Sequence, residues 1–371
     1  MERLKALFLL FVVTHSFGQI NVAKIDRSVW PYSINSKVDF DVASKMEMLV
    51  FTETFNDYMS LSTSELSLKI GVKNVSEKSV KEWEARTKKL LLDNFHALLD
   101  ESLPKYISIK KNIDWNSMIA LQLDKKIPSE LKNWYNSSKV FYQDYLFELY
   151  RLASLNPRIT SEITILDETE VTGDNFEQKH FLLTFDDGPT PQNGNTDKLV
   201  KVLNENNLKG IFFVLGDNFN QRLEATSSKS LEMLYGQNLV ASHGKIHKSH
   251  QKFLDWQNSI DYTQNIIKSN MKSKAMVYFR PPYGQRNKIL IDYLNNHQSK
   301  VVLWNMDSQD WNKDITARQV ADRQITLMLL WRKGILLFHD VHSKVQTAVP
   351  IIKEYFKKAD VNWIDPSTVK I

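Results

Sequence analysis

The spacing of apolar residues changes character near residue 160. Before it they recur every three or four positions. Residues 81–101 place Trp83, Thr87, Leu90, Leu91, Phe95, Leu98 and Leu99 on one face, and 128–155 do the same with Leu131, Trp134, Tyr135, Phe141, Tyr142, Tyr145, Leu149 and Leu152. The second stretch begins with Pro128 and stops before Asn156-Pro157, where a helix is expected to start and end. A third helix is expected over 40–59. From residue 180 onward the pattern becomes short apolar runs at 181–185, 211–215, 239–242, 277–279, 301–305, 335–338 and 361–364. Amphipathic stretches at 198–207, 260–271, 316–331 and 345–358 lie between them. Near-continuous apolar strands alternating with helices predict a parallel sheet. The expected fold is therefore α/β, a distorted barrel of about seven parallel strands, preceded by an all-α region. The acidic stretch 160–179 reads as a linker between a helical domain, 19–159, and a second domain, 180–371.

A length of 371 residues suits two domains. The net charge of +5 is spread over amphipathic segments with no basic block, so nucleic-acid binding is not expected. Arg3 and Lys5 precede an apolar run at 6–13, followed by the small residues Ser16 and Gly18. This reads as a signal peptide over 1–18, since the run is too short to span a bilayer. No later stretch resembles a transmembrane segment, and the absence of cysteine excludes disulfides and a lipid-attachment cysteine. The expectation is an exported protein, periplasmic or extracellular.

The chemistry gathers where the apolar runs end. The first run exits into Thr184-Phe185-Asp186-Asp187-Gly188-Pro189, two adjacent carboxylates that need a compensating cation or arginine if they share a cleft. The third exits into His243-Gly244-Lys245-Ile246-His247. In a helical turn that spacing places both imidazoles on one face, and with Asp187 they make a two-nitrogen, one-oxygen set of the kind found at catalytic zinc. A zinc peptidase would carry glutamate where Gly244 stands. His250 either substitutes as a ligand or faces solvent. Arg280-Pro281-Pro282-Tyr283-Gly284, Asp307-Ser308-Gln309-Asp310-Trp311 and Leu337-Phe338-His339-Asp340 follow the fourth, fifth and sixth runs. A histidine beside a carboxylate at a buried strand end favours its protonated form, as a general acid requires.

Taken together and in this order, these five motifs resemble those of the polysaccharide deacetylases, the carbohydrate esterases that share homology with the nodulation chitooligosaccharide deacetylase. The resemblance covers residues 180–364 and implies a distorted (β/α) barrel and metal-dependent N-deacetylation. It implies Asp186 as general base, Asp187, His243 and His247 as ligands of a divalent metal, zinc by default, and Arg280 as the group holding Asp186. It further implies the Tyr283 N–H at the oxyanion, Asp310 tuning His339 as general acid, and Trp311 with Leu337 around the acetyl methyl. Gly244 departs from the family's usual serine or threonine, whose hydroxyl braces the loop. The expected substrate is N-acetylglucosamine in peptidoglycan. Chitooligosaccharide, poly-N-acetylglucosamine and acetyl xylan are alternatives, as is a non-catalytic glycan-binding relative. The helical region is expected to position a long glycan or cover one edge of the cleft.

Overall fold

The computed structural model describes residues 21–271 and 274–368, so the expected signal peptide lies outside the described residues. No helix among them is long and apolar enough to cross a membrane. The strands are β1 (His180–Asp186), β2 (Gly210–Val214), β3 (Leu239–Ser242), β4 (Ala275–Phe279), β5 (Lys300–Val301), β6 (Met306–Asp307), β7 (Gly334–His339) and β8 (Asn362–Trp363). They pair in the order β5-β4-β3-β2-β1-β7-β6, all parallel, with β8 on the first residues of β1. The sheet's two outermost strands are the two ends of one chain segment, which bends the sheet round into the expected distorted barrel.

The fifth apolar run is therefore one crossing strand that pairs with β4 and β7 only at its ends. Between them the ladder is interrupted because other groups take its carbonyls. Arg280 donates from Nε to Val302 O at 3.1 Å and from Nη2 to Leu303 O at 2.9 Å. Val171 fills the gap from the other side, accepting from the Leu303 N–H and donating to Val301 O. The stretch expected to be a linker is thus part of the barrel wall. Glu170 forms a buried ion pair with Arg286, whose Nη1 and Nη2 also donate to Ser161 O and Thr164 O. A polar, acidic composition reads as a connector because the arginine that neutralises it lies more than a hundred residues away in sequence.

The helical region contains helices Lys37–Met59, Glu77–His96 and Lys132–Leu155. The second stops before its expected end. Leu98 stays buried beyond it, and the Leu99 N–H is satisfied by Asp41 Oδ2 at 2.9 Å rather than by helix. Helices Gly216–Ala225 and Ser228–Tyr235 were not among the expected elements. One apolar core runs from the helical region into the barrel helix Ala317–Trp331, in which every residue from Val320 to Trp331 is buried. Polar groups cross the same boundary. Arg332 pairs with Asp41 at 2.9 Å, Arg323 with Glu148 at 2.8 Å, and Asn94 donates to Trp331 O at 2.9 Å.

Two outcomes follow from that shared core. A truncated chain beginning at Thr160 exposes the whole inner face of the Ala317–Trp331 helix and is expected to lack a cooperative thermal transition by circular dichroism. In the full chain, Arg332→Ala leaves the Asp41 carboxylate buried without its partner and is expected to cost about 3–5 kcal/mol in urea unfolding.

Candidate active site

All five motif segments converge at the C-terminal ends of the parallel strands. Asp186 closes β1, and its Oδ1 accepts from Arg280 Nη1 at 2.8 Å. Arg280 is fully buried, and the same Nη1 donates to Thr184 Oγ1 at 2.7 Å, so the guanidinium is aimed by both ends of the strand tip. Its plane also sits over the Phe213 ring at 4.1 Å, which favours a cation at that depth. Burial pushes the Asp186 carboxyl up to about 6, while the Arg280 charge works in the opposite direction.

Asp187 occupies the left-handed region at φ 82°, which turns its side chain out of the strand and toward the histidines. Its backbone is held at both ends, the N–H on Phe213 O at 3.1 Å and the C=O by Asn218 Nδ2 at 2.8 Å. Oδ1 lies 3.5 Å from His243 Nε2 and 3.6 Å from His247 Nε2, is buried, and has no hydrogen-bond partner. His243 Nδ1 faces the Arg280 carbonyl at 2.8 Å, and a carbonyl only accepts, so Nδ1 carries the proton and Nε2 turns a lone pair toward Asp187. Burial keeps His243 neutral, well below the ordinary histidine range, and lowers His247 too. Electron-rich atoms from Asp187, His243 and His247 lie within 4.8 Å of one another. A neutral Nε2 lone pair and an unpartnered carboxylate oxygen facing each other are unfavourable until a cation stands between them, so the donor set fits a metal of nitrogen and oxygen preference.

On the opposite side, His339 ends β7. Its Nδ1 bonds Asp310 Oδ1 at 2.7 Å and its backbone N–H reaches Asp310 Oδ2 at 2.9 Å. Burial works against the imidazolium, but the Asp310 carboxylate, with Asp187 and Asp186 nearby, carries His339 up to about 10. The same His339 charge holds the buried Asp310 below the usual carboxylate range despite desolvation. Tyr283 has φ 61° in the turn Pro282–Gly284, packs its ring 4.4 Å from that of His247, and leaves its N–H without a partner in the loop. Trp311, half exposed, and the buried Leu337 line the same cavity as the carboxylates and histidines.

The structure changes two expectations about the histidine loop. Residues 243–247 form no helical turn; Gly244 at φ 82° bends the chain instead, and the bend brings the two imidazoles to a ring separation of 5.3 Å. His250 is neither ligand nor solvent-facing. It is fully buried, its Nδ1 donates to Lys248 O at 2.8 Å, and its Nε2 accepts from the Ser259 hydroxyl at 3.0 Å. Ser259 Oγ in turn accepts the Lys245 N–H at 2.8 Å. A Cβ on residue 244 would lie 2.6 Å from His250 Cε1, so His250 occupies the space a side chain there would need, and the loop is braced through Ser259.

Several positions had no sequence signal. Asp340, buried behind Gly188, accepts from Thr196 Oγ1 at 2.7 Å and leaves no room for a side chain at 188. Glu148, from the Lys132–Leu155 helix, and Glu162, from the stretch after it, also line the cavity, beside Tyr145 of the aromatic stripe on that helix.

Residues 173–302 match the polysaccharide deacetylase family. The chain is 30% identical over 192 residues to a peptidoglycan-N-acetylglucosamine deacetylase of Bacillus cereus, a match covering 49% of this chain and 67% of that one. It is 32% identical over 196 residues to a bifunctional xylanase/xylan deacetylase of Cellvibrio japonicus, of which it spans only 27%. Among solved structures it is similar to the Bc1960 peptidoglycan N-acetylglucosamine deacetylase, with TM-score 0.47 and 22% identity over 54% of this chain and 93% of that one.

The exchange between residues 244 and 250 is open to measurement. Gly244→Ala, which adds both a strained φ and a close contact, is expected to cost about 2–4 kcal/mol in urea unfolding. Adding His250→Ala removes the contact, so the double variant should lose less than the sum of the singles; simple additivity would show that the two residues do not share the space.

Proposed function

The chain belongs to the polysaccharide deacetylase family, whose members are hydrolases, and we propose that it removes the acetyl group from the nitrogen of N-acetylglucosamine residues in a polysaccharide, peptidoglycan foremost. What supports the reading is one arrangement: the donor set of Asp187, His243 and His247, one carboxylate and two imidazoles, lies beside an arginine-held carboxylate on one flank and a carboxylate-held histidine on the other. A divalent cation at that set, zinc in this reading, supplies Lewis acidity at the acyl oxygen and acidity to a bound water.

The chain's own residues divide the remaining work. Asp186, raised toward neutral pH and fixed by Arg280, accepts the proton of the attacking water. The free Tyr283 N–H donates to the carbonyl oxygen as it gains charge. His339, kept protonated by Asp310, gives its proton to the departing nitrogen as the C–N bond breaks, so the products are acetate and a free amine. Trp311 and Leu337 enclose the methyl. Every position that a non-catalytic relative would be expected to lose, base and ligands alike, is present. Export to the periplasm or cell exterior is consistent with such a substrate.

Two neighbouring substitutions separate the roles of the adjacent acids. Asp186→Asn keeps size but removes the base, and turnover is expected to fall by about two to four orders of magnitude while cation content measured on the purified protein persists. Asp187→Asn is expected to lose bound cation, with acetate release partly restored by excess zinc. Restoration of Asp186→Asn alone would reverse the assignment.

A further inference from the structure

The two loops that carry the cation donors are joined by a stretch that carries none of them. Leu215, Gly216, Asp217 and Asn218 lead from β2 into the helix Gly216–Ala225, and each donates one hydrogen bond to a carbonyl of a donor-bearing loop. The Leu215 N–H reaches Gly188 O at 3.0 Å, the Gly216 N–H reaches Gly244 O at 2.9 Å and the Asp217 N–H reaches Lys245 O at 3.0 Å. Asn218 adds its side chain, from Nδ2 to Asp187 O at 2.8 Å. The first amides of a helix have no partner within it, which leaves them available for this. One short stretch therefore holds the Asp187 loop and the histidine loop in register.

That stretch is itself fixed. A Cβ on Gly216 would lie 2.4 Å from Thr263 Oγ1, so the start of the helix is pressed against the helix Trp256–Asn270. The same second helix carries Ser259, whose Oγ accepts the Lys245 N–H, so the histidine loop is held from two sides. Asp187 is held less securely. Its φ of 82° lies in the left-handed region, which disfavours a residue with a Cβ unless the surroundings impose it. A return to extended backbone would turn the carboxylate away from His243 and His247. The Asp187 N–H, on Phe213 O, precedes the rotation about φ, whereas the C=O follows it. The Asn218 bond to that C=O is thus the contact that opposes the rotation most directly.

We propose that Asn218 is a positioning residue for the cation: by holding the Asp187 carbonyl it keeps the Asp187 carboxylate facing the two imidazoles before the cation arrives, and so sets cation affinity. This rests on the donor-set reading above. Asn218 acts through Asp187 and takes no part in proton transfer.

The test measures zinc affinity of the full chain, stripped of cation and titrated with zinc in competition with a chromogenic chelator. Asn218→Leu keeps the branched shape but removes the donor, and it is expected to weaken zinc binding about 10- to 100-fold. Its acetate release from the β-1,4-linked N-acetylglucosamine hexamer should fall at limiting zinc and return toward the wild-type rate in excess zinc, since base, acid and oxyanion donor are untouched. Asn220→Ala removes the 2.8 Å bond from Asn220 to Glu224 on the same helix and should leave zinc affinity unchanged. If Asn218→Leu does not fold by circular dichroism, Asn218→Ala carries the same expectation. Unchanged zinc affinity with a lowered urea midpoint would make Asn218 purely structural and overturns the proposal. So does unchanged affinity with a raised KM, which would place Asn218 against substrate. Equal weakening by Asn220→Ala also overturns it, because the effect would then belong to the helix as a whole. A wild-type chain that binds no zinc removes the donor-set reading and the proposal with it, whereas wild-type binding that Asn218→Leu leaves intact removes the proposal alone.

Discussion

Arg280 is the point on which the site depends. A buried guanidinium is costly unless every donor is used, and each group of this one holds a different part of the structure. Nη1 fixes Asp186 and Thr184 at the tip of β1. Nε and Nη2 take the carbonyls of Val302 and Leu303, which is why the crossing strand pairs with β4 and β7 only at its ends and the barrel is distorted there. Its own carbonyl accepts from His243 Nδ1, fixing the tautomer that turns Nε2 toward Asp187. Positioning of the acid, the shape of the barrel and the direction of a donor lone pair are therefore one constraint.

The second constraint is the union of the helical region with the barrel. The Ala317–Trp331 helix lies between the two and is buried from Val320 onward, its polar residues Asp322, Arg323, Gln324 and Thr326 included, so those side chains need internal partners. Paired charges cross the boundary where apolar contact stops, and unpaired they would be strongly destabilising. The same docking brings leucines of two long helices to the cavity beside the carboxylates.

The histidine loop shows how a local departure is absorbed. Gly244 lacks the hydroxyl that would brace the chain, yet Ser259 supplies a hydroxyl to the Lys245 N–H from a helix, and His250 completes the chain of hydrogen bonds. Glycine at 244 and histidine at 250 are two halves of one solution, since the ring fills the volume that any other residue at 244 would claim.

The sequence by itself determined the alternation of strands and helices, the seven strand positions and the cluster of acids, histidines and arginine at strand ends. Those signals are local: burial on both faces of a parallel strand imposes a continuous apolar run, and the chemistry follows within a few residues of its end. Tertiary structure alone decided what lies across from each segment. A stretch such as 160–179 looks solvated until Arg286 is brought to Glu170, and an apolar stripe carrying Leu149 and Leu152 has the same period whether it closes on a core or lines a cavity. Whether His250 meets a metal or a serine likewise depends on Ser259, placed there by a helix whose packing no short window of sequence contains.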